Sequence, residues 1–197
     1  MNVDLDAFDR RYRAHADPWD FETSRYEQAR YDTTLGWLGD RAYHRAFEPG
    51  CSIGVLTGRL AARAACVVAC DVSPTAIAAA RRRSHDATAV TLEVATIPEW
   101  WPEGSFDLVV FSEVGYYWDV PALGAVAGRM RRALEPGGTL LAVHWLGSSS
   151  DHVQHGHEVH DVLRSVLGPS DVRADVEVGG HGSDTDESFT IERWAAP

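Results

Sequence analysis

The 197-residue chain contains no lysine: all eighteen of its Lys and Arg positions are arginine. That absence excludes a G-x-x-x-x-G-K-[ST] phosphate loop, whose lysine reaches the β and γ phosphates of a nucleoside triphosphate. The dinucleotide fingerprint G-x-G-x-x-G is missing around the glycine-rich turn as well. Gly50, Gly54 and Gly58 stand four apart, with Ser52 in the middle of the first interval, so a pyrophosphate does not find the glycines that would let it touch backbone. Cysteine is scarce too. Cys51, Cys66 and Cys70 are an odd number set beside apolar runs, which argues against a disulfide framework and for a reducing, cytoplasmic setting. No apolar run reaches the roughly 18 residues a membrane-spanning helix needs, and residues 1 to 19 hold no signal-like apolar stretch. Basic charge is short as well: the net charge is -11 and no basic run exceeds Arg81, Arg82 and Arg83. Nucleic acid and anionic membrane are therefore poor partners, and a small-molecule partner is expected.

What is present is an alternation of short apolar runs with helical patterns. Residues 4 to 15 and 23 to 39 read as two helices joined at Asp17-Pro18-Trp19-Asp20, forming an N-terminal helical cap (1–40) of the same domain as the core (41–197). In the core, strands are expected at 43–48, 66–71, 89–94, 107–111 and 139–145, with helices at 54–64, 74–83, 119–134 and 153–167. Two further strands at 171–178 and 187–194, across the turn GGHGSDTD, read as an antiparallel hairpin edge. The expected class is α/β and Rossmann-like: a mostly parallel seven-stranded sheet, an antiparallel C-terminal edge, and helices on both faces. Length suits one core, and monomer and homodimer both stay open.

The most informative segment is EPGCSIGVLTGRLA, Glu48 to Ala61, an acid and a tight small-residue turn between a strand and a helix start. Gly50 and Gly54 permit a sharp turn and a close backbone approach, with Cys51 and Ser52 between them, and the following helix aims free N–H groups at the turn. E-x-G-x-x-x-G resembles the loop of class I S-adenosylmethionine-dependent methyltransferases. Glu48, at the end of its strand, is placed either to hold a cationic amino group or to bond loop amides. Asp71, with Val72 after it, ends the second strand, where a carboxylate can accept both hydroxyls of a ribose at about 1.5–3 kcal/mol per charge-assisted bond. The plainer reading is that Asp71 and Ser73 cap the helix at Pro74. Ser52 stands where the methyltransferase pattern places glycine, and no acid occupies Ala95 or Thr96, so backbone at Thr96 and Ile97 is left to read an adenine edge. Trp100 and Trp101 wall that pocket or pack.

FDLVVFSEVGYYW, Phe106 to Trp118, reads as a buried strand ending in a polar, aromatic mouth. Ligands of open α/β sheets bind beyond the carboxyl ends of the strands, which brings Ser112, Glu113, Tyr116 and Tyr117 to the ligand. Packing and capping are the bland readings of each. Among the histidines of HVQHGHEVH, the H-E-x-x-H spacing is absent, so no metal is expected. Solvated positions at a helix start are the default, with one of them, or His144 at the end of the fifth strand, contacting substrate as the sharper option.

DPWDFETSRYEQARY (17–31), EPGCSIG (48–54), CDVSP (70–74), FSEVGYYW (111–118), LEPGGTLL (134–141), HGHEVHDVL (155–163) and SDTDESF (183–189) together resemble the NodS family of methyltransferases. The resemblance implies S-adenosylmethionine as cofactor, S-adenosylhomocysteine as product, and N-methylation of a small amine or amino sugar of the deacetylated chitooligosaccharide type. By their placement, Glu113, Tyr116 and His144 are the candidates at the chemistry, and the cap helices holding Trp19, Tyr26 and Tyr31 have little sheet to pack on unless they fold over the ligand, so binding is expected to order the cap. An O- or C-methyltransferase of another small metabolite, and a catalytically silent domain that binds the nucleoside, share the same cofactor features.

Overall fold

The computed structural model describes residues 4–85, 87–179 and 187–197. The turn GGHGSDTD lies, apart from Gly179, outside the described residues, as does the start of SDTDESF.

Each helix begins where the sequence supplies an acceptor for its unpaired N–H groups. Helix α1 (Leu5–Ala14) starts at Asp4, whose carboxylate accepts from Asp6 N–H. Helix α2 (Arg25–Trp37) starts at Ser24, whose hydroxyl faces Glu27 N–H at 3.4 Å. Strand β1 (Tyr43–Pro49) leads through the loop into α3, which is only Val55–Leu60. The expected helix over 54–64 is thus shorter, because Ala62 and Arg63 turn back onto Arg59 and Leu60 carbonyls in tight i to i+3 turns. Strand β2 (Ala64–Asp71) then feeds α4 (Pro74–Arg83), capped by the Ser73 hydroxyl with Pro74 in the first turn.

After β3 (Val90–Val94) and β4 (Phe106–Ser112) come a single 3₁₀ turn, Gly115–Tyr117, and α5 (Val120–Ala133), capped by Asp119. Strand β5 (Leu134–Trp145) starts earlier than its apolar run, since Leu134 pairs with Phe106 and the Glu135-Pro136-Gly137-Gly138 segment is taken up as a register shift inside the strand. Helix α6 (Gly156–Leu167) begins three residues later than expected, with Glu158 accepting from His155 N–H at 2.8 Å. Strands β6 (Val172–Glu177) and β7 (Ser188–Ala195) complete the chain.

The seven strands lie in the order β3-β2-β1-β4-β5-β7-β6, with β5–β7 and β7–β6 antiparallel and the remaining pairs parallel. Residues such as Ala46, Phe47, Val67, Val109, Val110, Leu140 and Leu141 are wholly buried, as strands covered on both faces require. The chain reverses its direction across the sheet between β1 and β4, and that reversal opens a crevice beyond their carboxyl ends. The expected class I sheet with an antiparallel edge is the sheet observed. Among the described residues no helix is long and apolar enough to cross a membrane.

Candidate functional site

Beyond the strand ends lies a cavity of about 650 Å³, within the range usual for small-molecule sites. Its floor is the turn after β1. Gly50 has φ +74°, and a Cβ there would press on Val114 Cγ2 at 3.0 Å, so the turn and the packing both call for glycine. Ser52 also takes a left-handed φ of +53°, the conformation that explains why the methyltransferase pattern favours glycine at this point. It is held by two partners: its N–H donates to Asp71 Oδ2 (2.9 Å), and its hydroxyl accepts from Tyr12 Oη (2.5 Å). Gly54 does not line the cavity. Its φ of +80° serves as the cap of α3, and its Cα packs so closely on α4 that a Cβ would meet Ala80 Cβ at 2.9 Å.

Asp71 lies on the cavity wall with its oxygens already accepting from Ser52 and Ser73 N–H, so its carboxylate is aimed before any ligand arrives. Burial raises its pKa, against the opposing pull of those amides. Glu48 is 3% exposed and sits one layer deeper, in a small adjoining cavity of about 30 Å³ with Cys51, Ser112 and Arg30. That space suits about one water molecule. Burial pushes the Glu48 carboxyl up to about 8, although Thr57 Oγ1 donates to Oε2 at 2.6 Å.

The mouth after β4 holds the second acid. Glu113 has φ +58°, a left-handed backbone that turns its side chain into the cavity, where Oε1 accepts from Trp145 N–H (2.8 Å). Burial raises it to about 7, with the Arg30 guanidinium 3.9 Å away pulling the other way. Tyr116 and Tyr117 both face the cavity; Tyr116 stacks on His152 with ring centroids 4.1 Å apart. Val72 and Ile97 line the opposite wall, while Thr96 does not. Trp100 and Trp101 pack on Phe47 in the core and leave the wall to Ala95 and Ile97.

His144 is set apart from the cavity, contrary to the sharper sequence reading. It is 0% exposed, its Nε2 accepts from Gly115 N–H (3.1 Å), and its Nδ1 faces His160 Nε2 (3.0 Å), so no ring nitrogen is left for a substrate. Of the HVQHGHEVH histidines, His152 alone lines the cavity; His155 and His157 are exposed and His160 is buried.

The cap closes the cavity from above with Phe8, Tyr12, Trp19, Phe21 and Tyr26. Two of its contributions have no motif in the sequence. Asp9 accepts from Ser73 Oγ (2.7 Å) and Thr75 N–H (3.0 Å), bonds that hold its pKa low and tie α1 to the start of α4. Arg30, wholly buried, pairs with Glu27 and donates to Ser112 Oγ at 2.7 Å. The signal that was available is the i, i+3 spacing of Glu27 and Arg30 within RYEQARY, which reads equally as a surface pair.

The family model for Nodulation protein S (NodS) matches residues 4–163. Nodulation protein S of Rhizobium tropici is 32% identical over 166 residues, 80% of this chain and 68% of that protein. Nodulation protein S of Sinorhizobium fredii is 32% identical over 133 residues, 66% of this chain, and only 62% of the relative's length is spanned. The crystal structure of N-methyltransferase NodS from Bradyrhizobium japonicum WM9, in complex with S-adenosyl-l-homocysteine, superposes with a TM-score of 0.87 over 98% of both chains at 26% identity. With its sheet, its loop and nearly its whole described length matched, the chain belongs to the NodS family of class I S-adenosylmethionine-dependent methyltransferases.

Proposed function

We propose that the chain transfers the methyl group of S-adenosylmethionine to the nitrogen of a small amine, an amino sugar of the NodS type being the leading acceptor. One observation carries the choice of an amine. The described cavity lining includes five acidic residues, Glu27, Asp71, Glu113, Asp151 and Glu187, and no arginine; Arg30 pairs with Glu27 and Arg11 with Asp151 from outside it. Such a lining is on balance acidic and favours a cationic acceptor over a phenolate.

The residues present fit the cofactor by the chemistry of their donors and acceptors. Asp71 suits the ribose diol, and the backbone of Gly50, Cys51 and Ser52 the amino-acid tail, with Glu48 reaching its ammonium through the small inner cavity. Val72 and Ile97 suit the adenine, and Trp19, Tyr26, Tyr117 and Ser112 the remaining contacts. When bound, the sulfonium supplies an electrophilic methyl and a good leaving group. The protein's part is then alignment and exclusion of water, which reaches effective molarities on the order of 10⁵–10⁸ M. The attacking nitrogen needs a free lone pair, so an ammonium acceptor gives up one proton before the N–C bond forms and the S–C bond breaks. Glu113, fixed by Trp145 N–H and facing the cavity, orients that amine, and with a pKa near 7 it is able to take the proton. Tyr116 walls the acceptor side.

The test is a panel of amino sugars, including a mono-deacetylated chitooligosaccharide, against phenols, with release of S-adenosylhomocysteine as the readout. Methylated amine is expected. Methylation of phenols alone overturns the proposal, and binding of the nucleoside without turnover on any acceptor restores the silent-domain reading.

A further inference from the structure

Behind the mouth lies a line of buried titratable groups that the chemistry above does not use. His144 on β5, His160 on α6 and Glu192 on β7 are each 0% exposed. Gly115 N–H donates to His144 Nε2 (3.1 Å), so that nitrogen is the acceptor and the ring proton is on Nδ1. Nδ1 therefore donates to His160 Nε2 (3.0 Å), which places the second proton on His160 Nδ1. Glu192 Oε1 lies 3.3 Å from that nitrogen, within ion-pair reach though not in hydrogen-bond geometry. Arg164 and the Arg173 Nε (3.4 Å) hold the same carboxylate oxygen in place. One amide thus dictates the tautomer of two imidazoles in succession, ending at a fixed anion.

We propose that His144, His160 and Glu192 form a positioning relay that holds the Gly115–Tyr117 turn, and through it the aromatic wall against which the acceptor lies. The turn is seated directly on the relay: a Cβ on Gly115 would meet His144 Nε2 at 2.7 Å and collide with Val159. What the turn carries is the wall itself. Tyr116 stacks on His152, its carbonyl accepts from Val153 N–H (2.9 Å), and Tyr116, Tyr117 and His152 all face the cavity. Among the described residues the Gly50–Ser52 loop makes no hydrogen bond to the relay, so the relay acts chiefly on the acceptor side, through Tyr116 and His152, with Tyr117 of the same turn as its one reach toward the cofactor. The proposal rests on the methyltransferase reading.

His160→Leu removes the acceptor for His144 Nδ1–H and invites the opposite tautomer, which would turn a donor against Gly115 N–H. The expected result, with a mono-deacetylated chitotetraose as the acceptor probe, is about a tenfold rise in acceptor KM with S-adenosylhomocysteine affinity within about twofold of wild type. His160→Gln, whose amide both accepts and donates, should recover most of the loss. Unchanged acceptor KM in His160→Leu overturns the relay, and so does an equal loss of nucleoside affinity. Nitrogen-15 spectra of the wild-type imidazoles give a second test that needs no acceptor and no variant. Protonation at Nδ1 of both His144 and His160 is expected; an Nε2-protonated His144 overturns the relay whatever the protein catalyses. Failure of wild-type protein to bind S-adenosylhomocysteine instead removes the methyltransferase reading, with the tautomer spectrum still deciding the relay.

Discussion

Three carboxyls meet at this site, each raised by burial. Asp71 is offered to the ligand with Ser52 and Ser73 amides opposing that rise, whereas Glu48 and Glu113 are raised to about 8 and about 7. Replacing Asp71 by Arg removes both oxygens and adds bulk, so S-adenosylhomocysteine affinity should fall at least about 100-fold by calorimetry; retained micromolar affinity would falsify the ribose assignment. Glu113→Gln should lower turnover about tenfold to 100-fold with little change in nucleoside affinity, because its task is to orient the acceptor; wild-type turnover removes it from the mechanism. Glu48 gives a pH signature. Mostly protonated at pH 7, it should ionise when a ligand ammonium arrives, so binding should release protons, seen as a buffer-dependent binding enthalpy. A binding enthalpy equal in buffers of different ionisation enthalpy contradicts that placement. The acids of this set were legible because each ends a strand next to a turn. Arg30 was not, since its buried pairing with Glu27, Ser112 and Glu113 depends on where α2 lands, and His144 was misjudged because a strand end alone does not tell which side of the turn a ring faces.

Helix α1 illustrates what an element-level reading misses. The apolar spacing of residues 4 to 15 and their Asp4 cap announce a helix, yet nothing local tells that Asp9 reaches Ser73 and Thr75, or Tyr12 reaches Ser52. Those contacts join residues 40 to 66 positions apart. They make the cap part of the cofactor loop's support as well as a cover for it. Asp9→Ala should therefore cost about 1–2 kcal/mol of stability in denaturant titrations and speed hydrogen exchange in α1 and at the start of α4; exchange unchanged at both ends would separate the cap from the loop. In the wild type, exchange across residues 4–31 should slow when S-adenosylhomocysteine is added, since Phe8, Tyr12, Trp19 and Tyr26 face the cavity. Element boundaries diverged from the sequence pattern where a tertiary partner intervened: β5 extends back to Leu134 because Phe106 pairs with it, and α3 stops at Leu60 because tight turns follow.

For the molecule as a whole, the alternation of strand and helix was enough to set the sheet, because crossovers between parallel strands leave few arrangements. Stability carries the mark of the raised acids Glu48 and Glu113: above about pH 4.5 the unfolded chain gives up protons that the folded chain keeps, so their contribution falls as pH rises toward about 8. Burial of His144, His152 and His160, whose pKa values are lowered, acts the other way below about pH 6.5. Ligand-free stability should therefore decline between about pH 6.5 and about 8, and melting temperatures rising across that interval would contradict it. Saturating S-adenosylhomocysteine should add about 2.7 kcal/mol at 100 times its Kd, with NAD giving no shift; the reverse ranking would contradict the cofactor assignment. One feature of the topology also governs synthesis. Strand β7 comes last in the sequence yet lies between β5 and β6, and its Ser188 carbonyl receives Leu146 N–H and the Tyr26 hydroxyl at the cavity's edge. A ribosome making this protein therefore leaves β5 with a bare, sticky flank until residues 188–195 have emerged, so a chain stalled before residue 188 should aggregate rather than bind its nucleoside.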